Sequence, residues 1–298
     1  MNKELRLFLL STLLIALLVG MVIVSYLGLV ILNPILGAFF GIVFNKTYKA
    51  AEDVTDISNW QVSLRKLLRG DFIKKDSCVR VSFAYLFRIK IGNKYLLIKN
   101  SRGTEKFQPV GGVYKYFKDE QLVLSNSFHI ADDDKIPMDS KSQYDYRLQI
   151  PCKYLKRFVK RFDSKEASRE RINNLSREFK EELGFLLNWD KIQYRYCGRH
   201  FTEVEYSKHF KCYQLQLADI VELVPTDSQI SDLENLISAK NKTIMFATAS
   251  DIEGLGIVTG TNKLKEIIAD HSINILQENE QYLLKTKDTG EVYEVDLT

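Results

Sequence analysis

The glutamates at positions 178, 181 and 182 are the residues whose type and spacing most clearly indicate chemistry. Their i, i+3, i+4 spacing places three carboxylates within an arc of roughly 100° on a helix. Like charges at this spacing repel one another, and a hard cation among them removes that cost. Mg²⁺ prefers carboxylate oxygens and substrate phosphates as ligands. The three glutamates therefore predict a magnesium site, with a solvated acidic helix face as the alternative.

The neighbouring residues predict the helix that must position these carboxylates. Ile172, Leu175, Phe179 and Leu183 form an apolar stripe beside the glutamates, as expected for a helix packed on a core. Gly184 follows the stripe, where a helix C-cap is expected. The glutamates would then lie at the end of this helix.

Residues 177–185, with the sequence REFKEELGF, resemble the second half of the Nudix box, R-E-U-x-E-E-x-G-U, in which U is apolar. The glycine pair Gly111 and Gly112, in the segment QPVGG, resembles its first half. The resemblance implies a Nudix-like α/β/α sandwich that hydrolyses nucleoside diphosphates linked to another moiety. It also implies that the three glutamates hold Mg²⁺ and that Arg177 orients one of them.

Two departures from this pattern favour binding over hydrolysis. The family has a glutamate eight residues before the box arginine, where this chain has Arg169, and Glu166 and Glu170 are out of step. The family also has a short spacer between glycine and arginine, whereas more than sixty residues intervene here. The loss of a carboxylate would weaken catalysis more than ligand binding.

The amino-terminal segment lacks charged residues from position 7 to position 44. As one helix it would be about 55 Å long, almost twice the hydrocarbon thickness of a bilayer. The sequence therefore predicts a two-span transmembrane hairpin in residues 1–45, with spans at 7–25 and 27–44. The turn is predicted near residues 25–28, and a kink of the second span at Asn33 and Pro34 is the alternative. Basic residues flank both outer ends, which predicts a multi-pass protein with both termini in the cytoplasm. Gly37 and Gly41 have small-xxx-small spacing, which suits close helix packing within the hairpin or between copies.

Residues 46–77 are predicted to form an amphipathic connector. Its segment 57–69 combines Trp60 with Arg65, Lys66 and Arg69, a pattern that suits a membrane surface. Docking of this helix onto the soluble domain is an equal alternative.

Residues 78–298 are predicted to form a nucleotide-sensing domain, with an insertion at about 113–163. Strands at 81–91 and 95–98, joined by a tight turn, lead toward the glycine pair. Further strands are predicted within 189–225, helices at 233–239 and 264–275, and a hairpin at 281–295 beyond the core. Glu203 or Glu205 could supply a further carboxylate, and 132–134 is predicted to be a loop.

Three segments supply candidate nucleotide-binding residues. They are a Tyr/Arg-rich stretch at 144–147, a helix after Pro151 with one apolar and one basic stripe, and an aromatic and charged stretch at 199–206. A solvated basic face and ordinary strand packing are the alternatives. The candidates are Tyr146, Arg147, Lys156, Arg157, Arg199, His200 and Tyr206.

Composition adds constraints on compartment and partners. The formal net charge of +4 is mild and gives no indication of polymeric nucleic acid as a partner. Cysteines at 78, 152, 197 and 212 show no metal-ligand spacing and indicate a reduced, cytosolic compartment for this domain.

A short two-span hairpin joined to a Nudix-like domain resembles the membrane-anchored, SMODS-associated Nudix effectors of bacterial CBASS anti-phage systems. The resemblance implies a cyclic oligonucleotide ligand, such as a cyclic dinucleotide, made by a cognate CD-NTase. It also implies a homo-oligomer in the bacterial inner (cytoplasmic) membrane. Ligand binding would promote self-association and disruption of the lipid bilayer, causing abortive infection. A membrane-tethered, Mg²⁺-dependent hydrolase and a tethered module with a vestigial pocket are the alternatives.

Overall fold

The computed structural model describes residues 3–55, 60–100, 105–133, 142–239, 241–257, 267–276 and 283–297. It divides into two compact units, Met1–Phe72 and Ile73–Thr298. The α-helices are α1 (Lys3–Tyr26), α2 (Asn33–Thr55), α3 (Trp60–Arg69), α4 (Lys118–Phe128), α5 (Leu155–Asp163), α6 (Arg177–Leu183), α7 (Asp227–Ser238) and α8 (Ala249–Glu253). Short 3-10 helices cover Val30–Leu32, Cys152–Tyr154 and Asp270–Leu276.

The strands all lie in the second unit. They are β1 (Cys78–Arg88), β2 (Lys90–Ile91), β3 (Lys94–Lys99), β4 (Phe107–Gln108), β5 (Gly111–Val113), β6 (Ala131–Asp132), β7 (Arg147–Pro151), β8 (Lys191–Phe201), β9 (Glu205–Ser207), β10 (Cys212–Leu223), β11 (Ile244–Thr248) and β12 (Val292–Asp296). The chain is thus an apolar amino-terminal helix followed by a sheet-rich, mixed α/β domain, as the sequence predicted.

The first unit is built on α1 and α2, which pack against each other as a helical hairpin. Leu5–Tyr26 within α1 is the one helix of the described residues that is long and apolar enough to cross a membrane. None of its most apolar stretch is buried inside the chain. Length, composition and exposure together point to membrane association of this helix.

The second predicted span, 27–44, differs from the structure. Helix α2 begins at Asn33 because Pro34 occupies its first turn, where a missing N–H costs nothing. The Asn33 amide donates to Ser25 Oγ at 2.8 Å, which ties this start to the end of α1. Residues 33–44 give only about 18 Å of uncharged helix, short of the ~30 Å hydrocarbon core.

The hairpin leaves its glycine face uncovered. Among the described residues outside its own helical turn, no atom lies within 4 Å of a Cβ atom placed on Gly37 or Gly41. These glycines therefore do not mediate packing between α1 and α2. Large apolar side chains of α2 are also exposed, including Ile35 and Phe39. The hairpin presents apolar surface on both of its helices.

Helix α3 covers the predicted amphipathic segment from Trp60 to its end at Arg69, and residues 56–59 lie outside the described part. Arg65 donates to the carbonyl of Val54 at 3.1 Å, which links α3 to the end of α2. Trp60 is 4% exposed, so its ring is covered by protein atoms instead of lying open on the surface.

The main sheet of the second unit has the strand order β12-β8-β10-β1-β7-β6. Strand β5 continues beside β1 where β7 stops, and β9 pairs with the start of β10. Strands β1 and β10 are parallel, and the other pairs are antiparallel. A small sheet, β11-β3-β2 with β4 on β3, forms the second layer of strands.

The first predicted hairpin is split between these two sheets. Strand β1 belongs to the main sheet, whereas β2 and β3 form the tight hairpin around Gly92 in the small sheet. Residues of the small sheet such as Leu97 and Met245 pack in one apolar cluster with Leu86 and Ile220 of the main sheet. The small sheet therefore covers part of one face of the main sheet.

The other face of the main sheet is covered by aromatic side chains. Phe83 of β1 contacts Phe158 and Phe162 of α5 with ring-centroid distances of 5.7 and 4.8 Å. Phe87 contacts Phe179 of α6 at 5.4 Å. The apolar stripe predicted for α5 is confirmed, and all four of its members are buried. They are Leu155, Phe158, Val159 and Phe162.

Two other predicted elements have different bounds or places. The glutamate helix α6 begins at Arg177, so Ile172 and Leu175 of the predicted stripe precede it. The carboxy-terminal segment is not a hairpin beyond the core, because β12 pairs with β8 at the edge of the main sheet. The predicted helix 264–275 is a 3-10 helix over Asp270–Leu276, and residues 258–266 lie outside the described part.

Candidate functional site

A pocket with a volume of about 330 Å³ opens on the face of the main sheet that the small sheet covers in part, because Leu86 and Ala218 both line the pocket and belong to the apolar cluster with the small sheet. Ser82, Ala84 and Leu86 of β1 form its floor. Gln216 and Ala218 of β10 lie beside Ser82 and Ala84 in the sheet. We call this side of the sheet the pocket face. A volume near 300 Å³ is at the lower end of the range for small-molecule sites.

The glycine pair is required by the backbone geometry beside the pocket. Gly111 has φ +155, and a Cβ atom there would lie 2.2 Å from the carbonyl oxygen of Tyr85. A Cβ atom on Gly112 would lie 2.0 Å from Glu178 Oε1. Because neither residue has a side chain, β5 can pair with β1 while carboxylates from α6 reach past it.

The three glutamates of α6 all line the pocket. Glu182 accepts a hydrogen bond from the backbone N–H of Gly111 at 3.0 Å. Glu178 accepts from the guanidinium of Arg177, which also donates to the carbonyl of Val113 at 3.0 Å. Hydrogen bonds made by Glu182 and Arg177 of α6 therefore connect the two halves of the Nudix-box resemblance, the glycine pair on β5 and residues 177–185.

Glu170 supplies a second carboxylate to Arg177. It accepts from Arg177 Nε at 2.7 Å and from the Lys115 backbone N–H at 2.9 Å. The residue in the family's register, Arg169, is instead buried with its guanidinium 3.5 Å from the centre of the Phe162 ring. The glutamate is at position 170 instead of 169, and Arg177 consequently bonds two glutamates, Glu170 and Glu178.

Burial changes the acid–base behaviour of two pocket carboxylates. It raises the pKa of Glu178 above the ordinary 4.5, even with Arg177 in contact. It also raises the pKa of Asp145, despite the nearby Arg147 and Lys115. Both groups would be more stable as anions with additional positive charge beside them.

The donor atoms suit a hard divalent cation in type. Carboxylate oxygens of Glu178, Glu181 and Glu182 are the ligands that Mg²⁺ takes. Within the described ranges, however, no three His, Cys, Asp or Glu side chains are gathered closely enough to hold an ion. Asp145 adds a fourth carboxylate to the lining, against one guanidinium, that of Arg147, among the described lining residues. The pocket is therefore acidic.

A further part of the pocket lining, which we call the neutral end, is polar and carries no carboxylate. Asn100 and Gln108 come from the small sheet and its approach to the glycine pair. His271 and Asn274 come from the 3-10 helix Asp270–Leu276. Its composition differs from that of the pocket wall beside α6, which is rich in carboxylates.

Comparison with known protein families identifies the second unit. Residues 78–276, two-thirds of the chain, match the SMODS-associated NUDIX domain. The chain belongs to the SMODS-associated NUDIX family. No curated protein matches the chain. The matched range contains all of the pocket residues named above and excludes α1, α2 and α3. Family membership supports a role as a CBASS-type effector.

Two of the predicted nucleotide-binding residues lie in the NUDIX pocket. Arg147 lines it from β7, opposite Ser82 of β1. His200 lines it from β8, opposite Ala218 of β10. Burial lowers the pKa of His200 from 6.5, so at neutral pH its imidazole is uncharged and can both donate and accept.

The structure places Arg199 on the other side of the sheet, with no part in the pocket. Its guanidinium donates to both carboxylate oxygens of Asp219, at 2.7 and 3.0 Å, and also to Asp163. Tyr114 and Tyr196 donate to the same Asp219 carboxylate at 2.7 and 2.8 Å. Burial alone would raise the pKa of Asp219, but these donors outweigh it and lower the pKa.

Four further candidates also lie outside the pocket lining. Tyr146 is fully buried, with its ring 5.0 Å from that of Phe162 under α5. Lys156 and Arg157 lie on the exposed side of α5, since its apolar side packs on the sheet. Tyr206 is 53% exposed on β9, edge-on to another tyrosine ring.

Sequence reasoning also misplaced or missed several pocket groups. Glu203 and Glu205 are exposed and do not line the pocket, whereas Asp145 does. The amides of the neutral end gave no recognisable signal because neutral polar residues are common in loops. The missed polar residues are Ser82, Asn100, Gln108, Thr202, Gln216, His271 and Asn274.

Proposed function

We propose that this protein is a CBASS effector whose NUDIX pocket binds a cyclic oligonucleotide made by a cognate CD-NTase. Binding promotes self-association, and the amino-terminal hairpin then disrupts the bacterial inner membrane and aborts infection. The observation that carries this proposal is that one chain contains both a NUDIX-domain pocket and an apolar helix long enough to cross a bilayer.

The acidity of the pocket bears on how it would take a phosphate-bearing ligand. Four carboxylates face one arginine among the described lining residues, so two phosphates would be repelled unless positive charge is added. Glu178, Glu181 and Glu182 are the residues that would hold Mg²⁺. When bound, the ion would neutralise the phosphates and relieve the buried Glu178 carboxylate.

The hairpin is proposed to act on the bilayer through unequal helix lengths. The Leu5–Tyr26 stretch of α1 is about 33 Å long, enough to cross the hydrocarbon core. The uncharged part of α2 is only about 18 Å long, so the charged residues after Phe44 would be drawn toward the core. A short apolar helix thins the surrounding bilayer. When many such hairpins associate, the bilayer thinning caused by each of them would add up.

Self-association is proposed to use the exposed glycine face of α2. Gly37 and Gly41 leave an open surface on α2 that no side chain of the described residues fills. In lipid, small residues at this spacing let two helices approach closely. The proposed topology has both termini in the cytoplasm, because Arg6, Lys46 and Lys49 flank the apolar stretch.

A membrane-tethered hydrolase is the second candidate. The observation in its favour is the set of three glutamates on the pocket wall, together with an arginine held between Glu170 and Glu178. In such an enzyme, bound Mg²⁺ would polarise a phosphate and activate water. The hairpin would then act only as an anchor.

One titration separates the two candidates. The full-length chain in detergent is titrated by calorimetry with a panel of cyclic di- and trinucleotides, with Mg²⁺ or with EDTA, and each mixture is then separated by chromatography. An effector binds one cyclic ligand in a Mg²⁺-dependent manner and returns it intact. Conversion of a cyclic or linear dinucleotide into products supports the hydrolase. Failure of every cyclic ligand to bind contradicts the effector proposal.

A second experiment tests the membrane part. Leu13 and Ile15 of α1 are replaced together by arginine, and growth arrest is measured on co-expression with the cyclase. We expect toxicity to be lost while the affinity for the ligand is unchanged. Toxicity that persists in this variant places the harmful activity in the NUDIX domain.

A further inference from the structure

The neutral end of the pocket is a built structure held in place by buried contacts. Phe107 exchanges two backbone hydrogen bonds with residues 267 and 269, both at 2.8 Å, and this fixes the start of the segment. Arg88, buried in the main sheet, donates to the carbonyl of Ile275 at 2.6 Å. Ser272 and Ile275 are fully buried, whereas Asn274, between them, lines the pocket.

A second pair of carboxamides lies on the wall contributed by the small sheet. Asn100 Nδ2 donates to Gln108 Oε1 at 2.9 Å. This bond fixes which end of the Gln108 amide is oxygen and directs its nitrogen, a donor, elsewhere. The two walls together present both donors and acceptors on rigidly held side chains.

The single arginine of the described lining lies at the far end. Arg147 is opposite Ser82 in the sheet, whereas the neutral end lies near Leu86, because Leu86, Phe107 and Ile275 belong to one apolar cluster. We call this neutral end, with its carboxamide side chains, the amide end. Four residues of strand separate Ser82 from Leu86, or about 13 Å. No lysine or arginine of the described residues lines the amide end.

We propose that the amide end is a base-reading subsite that selects adenine over guanine, with Asn274 as a specificity-determining residue. This inference rests on the proposed function. Adenine offers an amino donor beside a ring-nitrogen acceptor, and the carbonyl and amino groups of one carboxamide match both. The corresponding edge of guanine offers two acceptors, which arginine or lysine reads best. The carboxylates beside α6 are left to the phosphates and their cation.

The test compares ligands that differ only in their bases. The full-length chain in detergent with Mg²⁺ is titrated with 3′,3′-cyclic di-AMP and 3′,3′-cyclic di-GMP, and with the linear dinucleotides pApA and pGpG. We expect the adenine member of a pair to bind about tenfold more tightly or better. Equal affinity, or preference for guanine, overturns the inference and leaves the proposed function standing. Absence of binding by all four ligands overturns the inference, whereas the proposed function is overturned only if the wider panel of cyclic di- and trinucleotides also fails to bind.

A matched pair of variants assigns the preference to a residue. Asn274→Ala removes the amide at the subsite, whereas Asn235→Ala removes an exposed amide on α7. We expect Asn274→Ala to weaken adenine binding about tenfold, with guanine binding and the melting temperature unchanged. Asn235→Ala should leave all affinities unchanged. Equal weakening of both bases by Asn274→Ala indicates a collapsed wall and contradicts a base-reading role.

Discussion

The two faces of the main sheet have opposite chemistry, although they are formed by alternate residues of the same strands. On the pocket face, β1 presents Ser82, Ala84 and Leu86 beside a lining that has four carboxylates and one arginine among the described residues. On the other face, which we call the packed face, β1 presents Phe83, Tyr85 and Phe87 to buried rings. There the two carboxylate oxygens of Asp219 accept four hydrogen bonds, two from Arg199 and one each from Tyr114 and Tyr196.

The difference shows how one sheet separates stability from binding. On the packed face, the buried charges are paired with groups of the same chain. This face therefore stabilises the fold and has few groups that could bind a ligand. The pocket face keeps carboxylates whose pKa is raised by burial, and these gain stability when a cation arrives. A variant on the packed face should therefore lower the stability and leave ligand affinity unchanged. A variant on the pocket face should lower the affinity and leave the stability unchanged.

The largest expected effect is on the packed face. Arg199→Ala leaves Asp219 buried without its bidentate partner, which costs about 3 to 5 kcal/mol. In a thermal melt of the full-length chain, the Tm should fall on the order of 10 °C. Arg195→Ala on the same strand is the control, because Arg195 is exposed and its loss should cost little. Similar melting of the two variants would refute the stabilising role of this network.

The next effect is on the pocket face. Glu178→Gln should weaken Mg²⁺-dependent ligand binding about tenfold or more, since the number of charged ligands tunes the affinity for a hard cation. The Tm should be unchanged or slightly higher, because a buried charge with a raised pKa has been removed. Glu234→Gln on the exposed side of α7 is the matched control. A lower Tm with unchanged binding would place Glu178 in the framework instead of the site.

A smaller effect should appear as a pH dependence of the same binding. Protons compete with Mg²⁺ for a carboxylate, and the raised pKa of Glu178 moves that competition to higher pH. Binding measured by calorimetry should therefore weaken as the pH falls from 7 toward 5, sooner than for carboxylates of ordinary pKa. In Glu178→Gln this dependence should be reduced. Affinity that is flat over this range would argue against ligation by Glu178.

The smallest effect is expected on the outer surface of α5. Lys156 and Arg157 are exposed on the outer side of this helix, which covers the packed face, whereas the pocket lies on the opposite face of the sheet. Salt screens the interactions of exposed charges beyond a Debye length of about 8 Å. The double reversal Lys156→Glu with Arg157→Glu should therefore change ligand affinity less than about twofold. Arg147→Glu, inside the pocket, is the contrasting variant and should abolish binding. A large loss from the α5 variant would show that the ligand reaches the packed side.

The sequence determined the family and the chemistry of the carboxylates. The motif at 177–185 requires consecutive residues, so it is readable without a fold, and residues 78–276 match the family expected from it. The uncharged stretch likewise revealed an apolar helix. For its second half, the alternative with a break at Asn33 and Pro34 agrees with the structure better than a helix from residue 27, because the start at Asn33 depends on a turn and on contact with α1.

Only the tertiary structure decided which neighbours share a site. The adjacent residues Tyr146 and Arg147, and likewise Arg199 and His200, were predicted together, yet the sheet directs the members of each pair to opposite faces. Alternation along a strand is a local property, but which face becomes the pocket depends on where α5 and the small sheet pack. Asn274 reaches the same pocket from a distant segment, and no local pattern encodes that contact.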